Sequence, residues 1–100
     1  MSMKFTLIGF IVLLLSIPGC KTRDLRGAYE SSPDGKTYLV IDDDVNGGEC
    51  SPILVDGRPW RLPKHAAGAI APGRHVIECG GKIGFQIKPG TTFHFDYWGP

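Results

Sequence analysis

The chain has 100 residues, of which 42% are hydrophobic, and its formal net charge at pH 7 is +1. This length suffices for one domain, which excludes a multidomain enzyme and a polytopic membrane protein. The near-zero charge excludes a strongly basic nucleic-acid binder, so we expect no nucleic-acid partner. The apolar residues are unevenly distributed, because a large share of them lies within residues 5–17.

The first segment has the layout of an export signal. Residues 1–4 carry one positive charge, on Lys4, and residues 5–17 form an uncharged apolar run. That run suits the apolar core of a signal peptide, whereas a membrane span needs about 20 residues. Pro18 and Gly19 then precede Cys20, a pattern typical of a cleavage site. The alternatives are an ordinary secretory signal with a chance cysteine and an uncleaved anchor.

The four residues Ile17-Pro18-Gly19-Cys20 resemble the lipobox of bacterial lipoproteins. The resemblance implies cleavage after Gly19 and attachment of acyl chains, such as palmitate, to Cys20. Two or more chains give stable membrane anchoring. Lys21 follows the cysteine, and the enteric sorting rule that comes with this resemblance then favours the outer membrane. The expected location is the bacterial cell envelope, with the domain in the periplasm or at the surface.

Three segments follow from this interpretation. We predict a lipoprotein signal peptide over residues 1–19, a lipidated tether over residues 20–35 and a folded domain over residues 36–100. The tether is polar and rich in turn residues, and it ends in Ser32-Pro33-Asp34-Gly35, in which proline presets φ and glycine permits a positive φ.

Two cysteines remain once Cys20 is attributed to lipid. Cys50 and Cys79 form an even pair, and an oxidising compartment favours a disulfide between them. Such a bond closes a loop of about 30 residues and contributes ~3–4 kcal/mol in the chain-entropy treatment. Two buried free thiols are the alternative. The chain has no C-x-x-C pair and its three histidines are scattered, which argues against a zinc site.

After the turn at residues 32–35, short runs rich in β-forming residues alternate with turn signals, and no segment has a helical period. We therefore predict an all-β fold, a small antiparallel β-sandwich of about five to seven short strands. The candidate strands are Lys36–Ile41, Ser51–Val55, Ala66–Ala71, Arg74–Cys79, Ile83–Ile87 and Thr91–Trp98.

Alternation along the last three runs predicts which residues share the buried face. These are the odd-numbered residues His75, Ile77, Cys79, Ile83, Phe85, Ile87, Phe93, Phe95 and Tyr97. If the runs form hairpins, three-residue loops at residues 80–82 and 88–90 pair Cys79 with Ile83 and Phe85 with Phe93. Either connection could instead cross between two sheets.

Residues 51–98 resemble the PEGA-type domains of bacterial envelope proteins and the wider carboxypeptidase-regulatory-like sandwiches. The resemblance rests on Ile53-Leu54-Val55-Asp56-Gly57, on residues 70–77 with Pro72-Gly73 before His75, and on Ile87-Lys88-Pro89-Gly90. It implies a β-sandwich that serves as an accessory module at a surface or on carbohydrate, without catalytic residues.

An acidic segment offers one candidate metal site. Asp42, Asp44 and Asn46, followed by Gly47, match the opening of a calcium-binding loop. The twelfth position, where that loop needs an acidic residue, holds Ile53 instead. The alternative is a solvated acidic loop between two strands. We expect no other cofactor.

A basic segment offers a candidate contact surface. Four of its residues lie beside or between Pro59 and Pro63, namely Arg58, Trp60, Arg61 and Lys64. Because of the two prolines, we expect an extended loop without strand pairing. The cations and the indole suit anionic headgroups, phosphates or glycan. The alternative is a connection in which Trp60 covers the core.

The sequence contains no visible set of nucleophile, acid and base, so we expect no enzyme. We expect a non-enzymatic lipoprotein that is anchored in the membrane and binds or assembles with an envelope protein or glycan. The alternative is a small inhibitor or exclusion factor that acts on an incoming enzyme or phage.

Overall fold

The computed structural model describes residues 22–45, 50 and 52–99 of the chain. The signal segment over residues 1–19, the lipidation residue Cys20 and the calcium-loop residue Asn46 lie outside these ranges. The described residues form an all-β fold without a helix. No helix among them has the length and apolarity needed to cross a membrane.

Nine short strands account for the regular structure of the described residues. They are β1 (Thr22–Arg23), β2 (Gly27–Ser31), β3 (Tyr38–Ile41), β4 (Leu54–Val55), β5 (Arg58–Pro59), β6 (Ala67–Ala69), β7 (Gly73–Glu78), β8 (Lys82–Ile87) and β9 (Thr91–Phe95).

The strands form two sheets. The five-stranded sheet has the order β1-β2-β9-β3-β6, and the four-stranded sheet has the order β5-β4-β7-β8. All neighbours are antiparallel except β3 and β9, which run parallel with Leu39 opposite Phe93. Some neighbouring strands are therefore consecutive in sequence and others are distant in sequence, and the chain crosses between the two sheets several times.

The sheets pack face to face in a sandwich-like arrangement. Phe85 of β8 stacks on Phe93 of β9 with ring centroids 5.4 Å apart, so the two sheets meet at this pair. Phe95 contacts Phe85 from one side and Trp98 from the other. The buried cluster comprises Leu39, Ile41, Ile53, Val55, Ile77, Cys79, Phe85, Ile87, Phe93, Phe95 and Trp98.

The strand count exceeds the five to seven expected from the sequence, and two of the additional strands lie in the predicted tether. Within residues 20–35, β2 occupies an interior position beside β9, with Tyr29 opposite Phe93. The sequence of β2, Gly-Ala-Tyr-Glu-Ser, has its two apolar residues Ala28 and Tyr29 side by side and therefore shows no alternation. Its close approach to β9 depends on Gly27, because a Cβ at this position would overlap the carbonyl oxygen of His94.

The predicted buried face is confirmed for most of its members, whereas the predicted pairing is wrong by two residues. Ile83 lies opposite Ile77 rather than Cys79, and the three-residue loop spans residues 79–81 rather than 80–82. A shift of two residues keeps every side chain on its face, so alternation alone does not distinguish the two registers.

The connection at residues 88–90 crosses between the sheets instead of closing a hairpin, since β8 and β9 belong to different sheets. Phe85 and Phe93 therefore meet across the core and not along a sheet. Tyr97, which the pattern placed on the buried face, is 39% exposed because the strand ends at Phe95. Trp98 is buried instead, and its indole N–H donates to the carbonyl of Asp43 over 2.7 Å.

Candidate functional site

The basic segment begins with a tight hairpin. Asp56 and Gly57 both have positive φ, of 53° and 81°, which matches the two-residue turn that Asp-Gly favours between antiparallel strands. Beyond the turn, Arg58 pairs with Val55. The expectation of an extended loop without strand pairing is therefore wrong at Arg58–Pro59, where Pro59 is tolerated because β5 is an edge strand.

Trp60 follows β5 and joins the edges of the two sheets. Its backbone N–H donates to the carbonyl of Ile53, and its partly buried indole packs against the core cluster. The benzo edge of the indole and the Cδ1 of Leu62 both lie over Gly68 of β6, where a Cβ would overlap them. Trp60 thus covers the core at this open side of the sandwich, which was one of the two interpretations of the sequence.

Two grooves flank the indole, and the first of them also involves the acidic segment. This first groove, named the Trp60 groove below, has a volume of about 220 Å³. It is lined by Ile41, Asp44, Cys50, Pro52, Ile53, Trp60, Leu62 and Lys64. A second groove of about 490 Å³ lies on the other side, lined by Val55, Asp56, Arg58, Pro59, Trp60 and Ile70.

The structure therefore brings together two segments that the sequence presents as separate candidates. Lys64 Nζ lies 4.0 Å from Asp44 Oδ1 at the rim of the Trp60 groove. His65 Nδ1 lies 2.6 Å from Asp42 Oδ1, and His94 Nδ1 of β9 lies 3.0 Å from the other oxygen of the same carboxylate. These contacts attach the end of β3 to the basic segment.

The same contacts give the calcium hypothesis no support. Both carboxylate oxygens of Asp42 face imidazole nitrogens, and Asp44 Oδ1 lies 4.0 Å from Lys64 Nζ, so Asp42 is already engaged and a cation competes with Lys64 beside Asp44. Asn46, the third proposed ligand, lies outside the described residues. Across the described part of the chain, no group of three or more His, Cys, Asp or Glu side chains is arranged to hold a metal ion.

The remaining cations of the basic segment lie on the surface. Arg58 lines the second groove together with Asp56. Arg61 is exposed and belongs to the lining of neither groove. Arg58, Arg61 and Lys64 are thus distributed around the indole, and their charges stay in contact with solvent.

A disulfide joins Cys50 to Cys79, as the sequence predicts, with the Cα atoms 5.4 Å apart. Cys79 is buried, and Cys50 is packed against the core while it also lines the Trp60 groove. The bond therefore fixes one wall of the groove to the end of β7. Leu62 and Pro52, which complete the lining, carry no sequence signal that would distinguish them from other apolar residues of loops.

The indole N–H of Trp60 is the one buried side-chain polar group of the described residues that has no hydrogen-bond partner. A buried donor without an acceptor costs about 1–3 kcal/mol, and such a group in a native structure requires an explanation. No sequence pattern indicates this unpaired donor, because the position of the indole depends on its contact with Gly68 of β6.

The residues on which the resemblance to PEGA-type domains rests include a hydrogen-bonded cluster around Asp56 and His75. Asp56 accepts hydrogen bonds from His75 and from the backbone N–H of Val76, over 2.5 and 2.9 Å. His75 also contacts the carbonyl of Ala71 over 2.6 Å. The Asp-Gly turn and the histidine of β7 therefore hold β4 and β7 together. No family model, no curated protein and no solved structure matches this chain, so membership in that family stays a prediction.

Proposed function

We propose that the chain is a lipid-anchored, non-enzymatic binding or assembly module of the bacterial envelope, and that the Trp60 groove is its contact surface. The observation that carries this proposal is the indole of Trp60, which lines two grooves and keeps a buried N–H without an acceptor.

The chemistry of the groove defines what suits it. Trp60, Leu62 and Ile53 offer apolar surface, and Lys64 supplies a positive charge at the rim. A tryptophan combines a large apolar body with one donor, which is why it is frequent in interfaces. The matching partner offers an apolar group for the groove and, at the rim, a carboxylate or phosphate that competes with Asp44 for Lys64.

Two observations support the location in the envelope. Residues 17–20 resemble a lipobox, and the Cys50–Cys79 disulfide suits an oxidising compartment. A tether directly before β1 would hold the domain close to the membrane surface. After removal of residues 1–19 the chain has 10 basic and 10 acidic residues, since only Lys4 of the charged residues is lost. Membrane attachment then depends on the acyl chains and not on net charge.

The alternative, an inhibitor or exclusion factor, calls for a protruding loop that enters the site of an enzyme. The segment from Arg58 to Lys64 instead lies along the side of the sandwich, with Trp60 packed on the core. This geometry favours a module that receives a partner in a groove.

Substitution of Cys20 tests the anchor. Cys20→Ala should abolish incorporation of labelled palmitate and release the protein from membranes into the soluble fraction. Lys21→Asp, as the matched variant, should keep the label and move the protein to the inner membrane where the enteric sorting rule applies. Label retained in Cys20→Ala would refute lipidation at this residue.

Site-specific crosslinking tests the groove. A photo-reactive amino acid at Arg61, beside the groove, should give a discrete adduct in intact envelopes, and the same probe at the exposed Lys36 should give none. Trp60→Ala should remove the adduct at Arg61 when the two proteins are compared at equal amounts of folded protein, because loss of the indole also weakens the packing on the core. An adduct that persists in Trp60→Ala, or one that forms equally at both positions, would rule out the groove as contact surface. An adduct with an incoming enzyme or phage protein would favour the inhibitor.

A further inference from the structure

The longest edge strand of the described residues is β8, with six residues at the end of the four-stranded sheet. The N–H and carbonyl of Val76 point towards β4, since they bond Asp56. The backbone N–H and carbonyl groups of successive residues of β7 point alternately towards β4 and towards β8. The backbone groups of His75 and Ile77 therefore bond those of their partners on β8, Phe85 and Ile83.

It follows that the intervening residues of β8 direct their backbone groups away from β7. Lys82, Gly84 and Gln86 therefore present a row of N–H and carbonyl groups to the open edge. Among the described residues, only those of β7 pair with β8. Such a row is a template for an added strand.

The opposite sheet extends past this edge. Trp60, which follows β5, contacts β6 at one side of the sandwich, and Phe85 of β8 lies over Phe93 of β9. The five-stranded sheet continues from β9 to β2 and β1, whereas the four-stranded sheet ends at β8. A strand added beside β8 would lie over β2 and β1 and complete the shorter sheet.

The surroundings of the edge define the side chains that fit. Tyr29 of β2 and Ile83 of β8 are partly buried hydrophobic residues at this side of the core. Lys82 and Lys88 are exposed at the two ends of β8, and Lys88 Nζ lies 4.6 Å from the centre of the Tyr29 ring. The edge thus combines an apolar inner side with positive charge at both ends.

We propose that the β8 edge binds an extended peptide segment, with apolar and acidic residues in alternation, as an added strand. Its apolar residues would face Tyr29 and Ile83, its acidic residues would face Lys82, and Lys88 would turn from the Tyr29 ring towards the acidic residue at that end of the peptide. A second copy of the chain is a poorer occupant, because symmetric antiparallel pairing of β8 about Phe85 places Lys82 opposite Lys88. This surface is separate from the Trp60 groove, so the two proposals stand or fall independently.

A synthetic peptide tests the proposal. The probe is a capped peptide of alternating valine and glutamate, about as long as β8, titrated into the full-length protein in detergent micelles. Amide hydrogen exchange is followed residue by residue. We expect exchange to slow at Lys82, Gly84 and Gln86, whereas Ile83 and Phe85, already bonded to β7, serve as the internal reference. Binding without protection of Gly84 and Gln86 would overturn the proposal, as would no binding.

Modified probes separate strand addition from charge attraction. N-methyl groups on the peptide nitrogens that face β8 should weaken binding about tenfold, whereas methyl groups on the alternate nitrogens should not. Lys82→Glu combined with Lys88→Glu should reject the valine–glutamate peptide and accept a valine–lysine peptide. Equal effects of the two methylated probes would refute strand addition. Self-association of the protein with protection of the same amides in the absence of peptide would identify a second copy as the occupant instead.

Discussion

The carboxylate of Asp56 lies 2.5 Å from Nδ1 of His75, and Nε2 of the same imidazole lies 2.6 Å from the carbonyl oxygen of Ala71. A carbonyl and a carboxylate only accept hydrogen bonds, so both contacts are hydrogen bonds at once in the imidazolium form. In the neutral form one nitrogen lacks its proton. His75 is 7% exposed whereas Asp56 lies at the surface, so the pair joins the exposed β4–β5 turn to a buried residue of β7.

The first prediction concerns the loss of stability in acid. Desolvation raises the pKa of Asp56, but the hydrogen bonds from His75 and Val76 outweigh it, so the pKa in the folded protein lies below the ordinary value. The unfolded chain then binds the proton more readily, and the stability that Asp56 contributes is present above its ordinary pKa of about 3.9. This contribution is lost as the pH falls through the lower pKa of the folded protein.

Urea denaturation at a series of pH values between about 6 and 3 measures this effect. In Asp56→Asn the free energy of unfolding should be lower at neutral pH, and it should fall less steeply with acid than in the unaltered protein. Glu78→Gln is the control, since it also removes one carboxylate of this sheet but not the one that bonds His75. Equal acid dependence in Asp56→Asn and the unaltered protein would contradict the prediction.

The second prediction concerns the disulfide. The Cys50–Cys79 bond spans 29 residues in sequence and connects the wall of the Trp60 groove to the end of β7. Its reduction should lower the free energy of unfolding by ~3–4 kcal/mol, because the unfolded chain regains the entropy of an open loop. Urea unfolding with and without a thiol reductant measures the difference. The variant carrying Cys50→Ser and Cys79→Ser should not respond to reductant, and a response there would mean that the reductant acts elsewhere.

The sequence predicts those parts of the fold that depend on local pattern. Alternation in Ile83-Gly84-Phe85-Gln86-Ile87 identifies the buried residues of β8, and the even cysteine pair identifies the disulfide. The pattern leaves the register open, because a shift by two residues preserves every face. In the folded chain the β7–β8 hairpin closes with Glu78 opposite Lys82, and the alternation contains no signal for that choice.

Less of the candidate site than of the fold can be predicted from the sequence. Asp44 and Lys64 stand out separately as members of an acidic and a basic segment, but their contact depends on how β3 and β6 pair. The buried N–H of Trp60 likewise results from the meeting of two sheet edges. Local pattern contains no information about such long-range neighbours, so the groove becomes visible only in the folded chain.

The third prediction concerns Asp42, whose carboxylate joins β9 to the basic segment through His94 and His65. Asp42→Ala removes both contacts and should lower the free energy of unfolding by about 1 kcal/mol, since the groups are partly exposed. The backbone N–H of His65, which donates to the carbonyl of Ile41, should exchange faster with solvent. Asp43→Ala is the control, and an equal change in exchange at His65 in both variants would contradict this role of Asp42.

The last prediction tests the contact between the indole and β6. Gly68 is buried, and a Cβ there would overlap Leu62 and the benzo ring of Trp60. Gly68→Ala should therefore displace the indole, shift the tryptophan emission and lower the free energy of unfolding by about 1–3 kcal/mol. Gly81→Ala is the matched control, because a Cβ there meets no atom within 4 Å. If the Trp60 groove is the contact surface, Gly68→Ala should also reduce the crosslink formed at Arg61. Loss of stability with an unchanged emission spectrum would contradict the prediction, because it would mean that β6 moves to accommodate the methyl group while Trp60 stays in place.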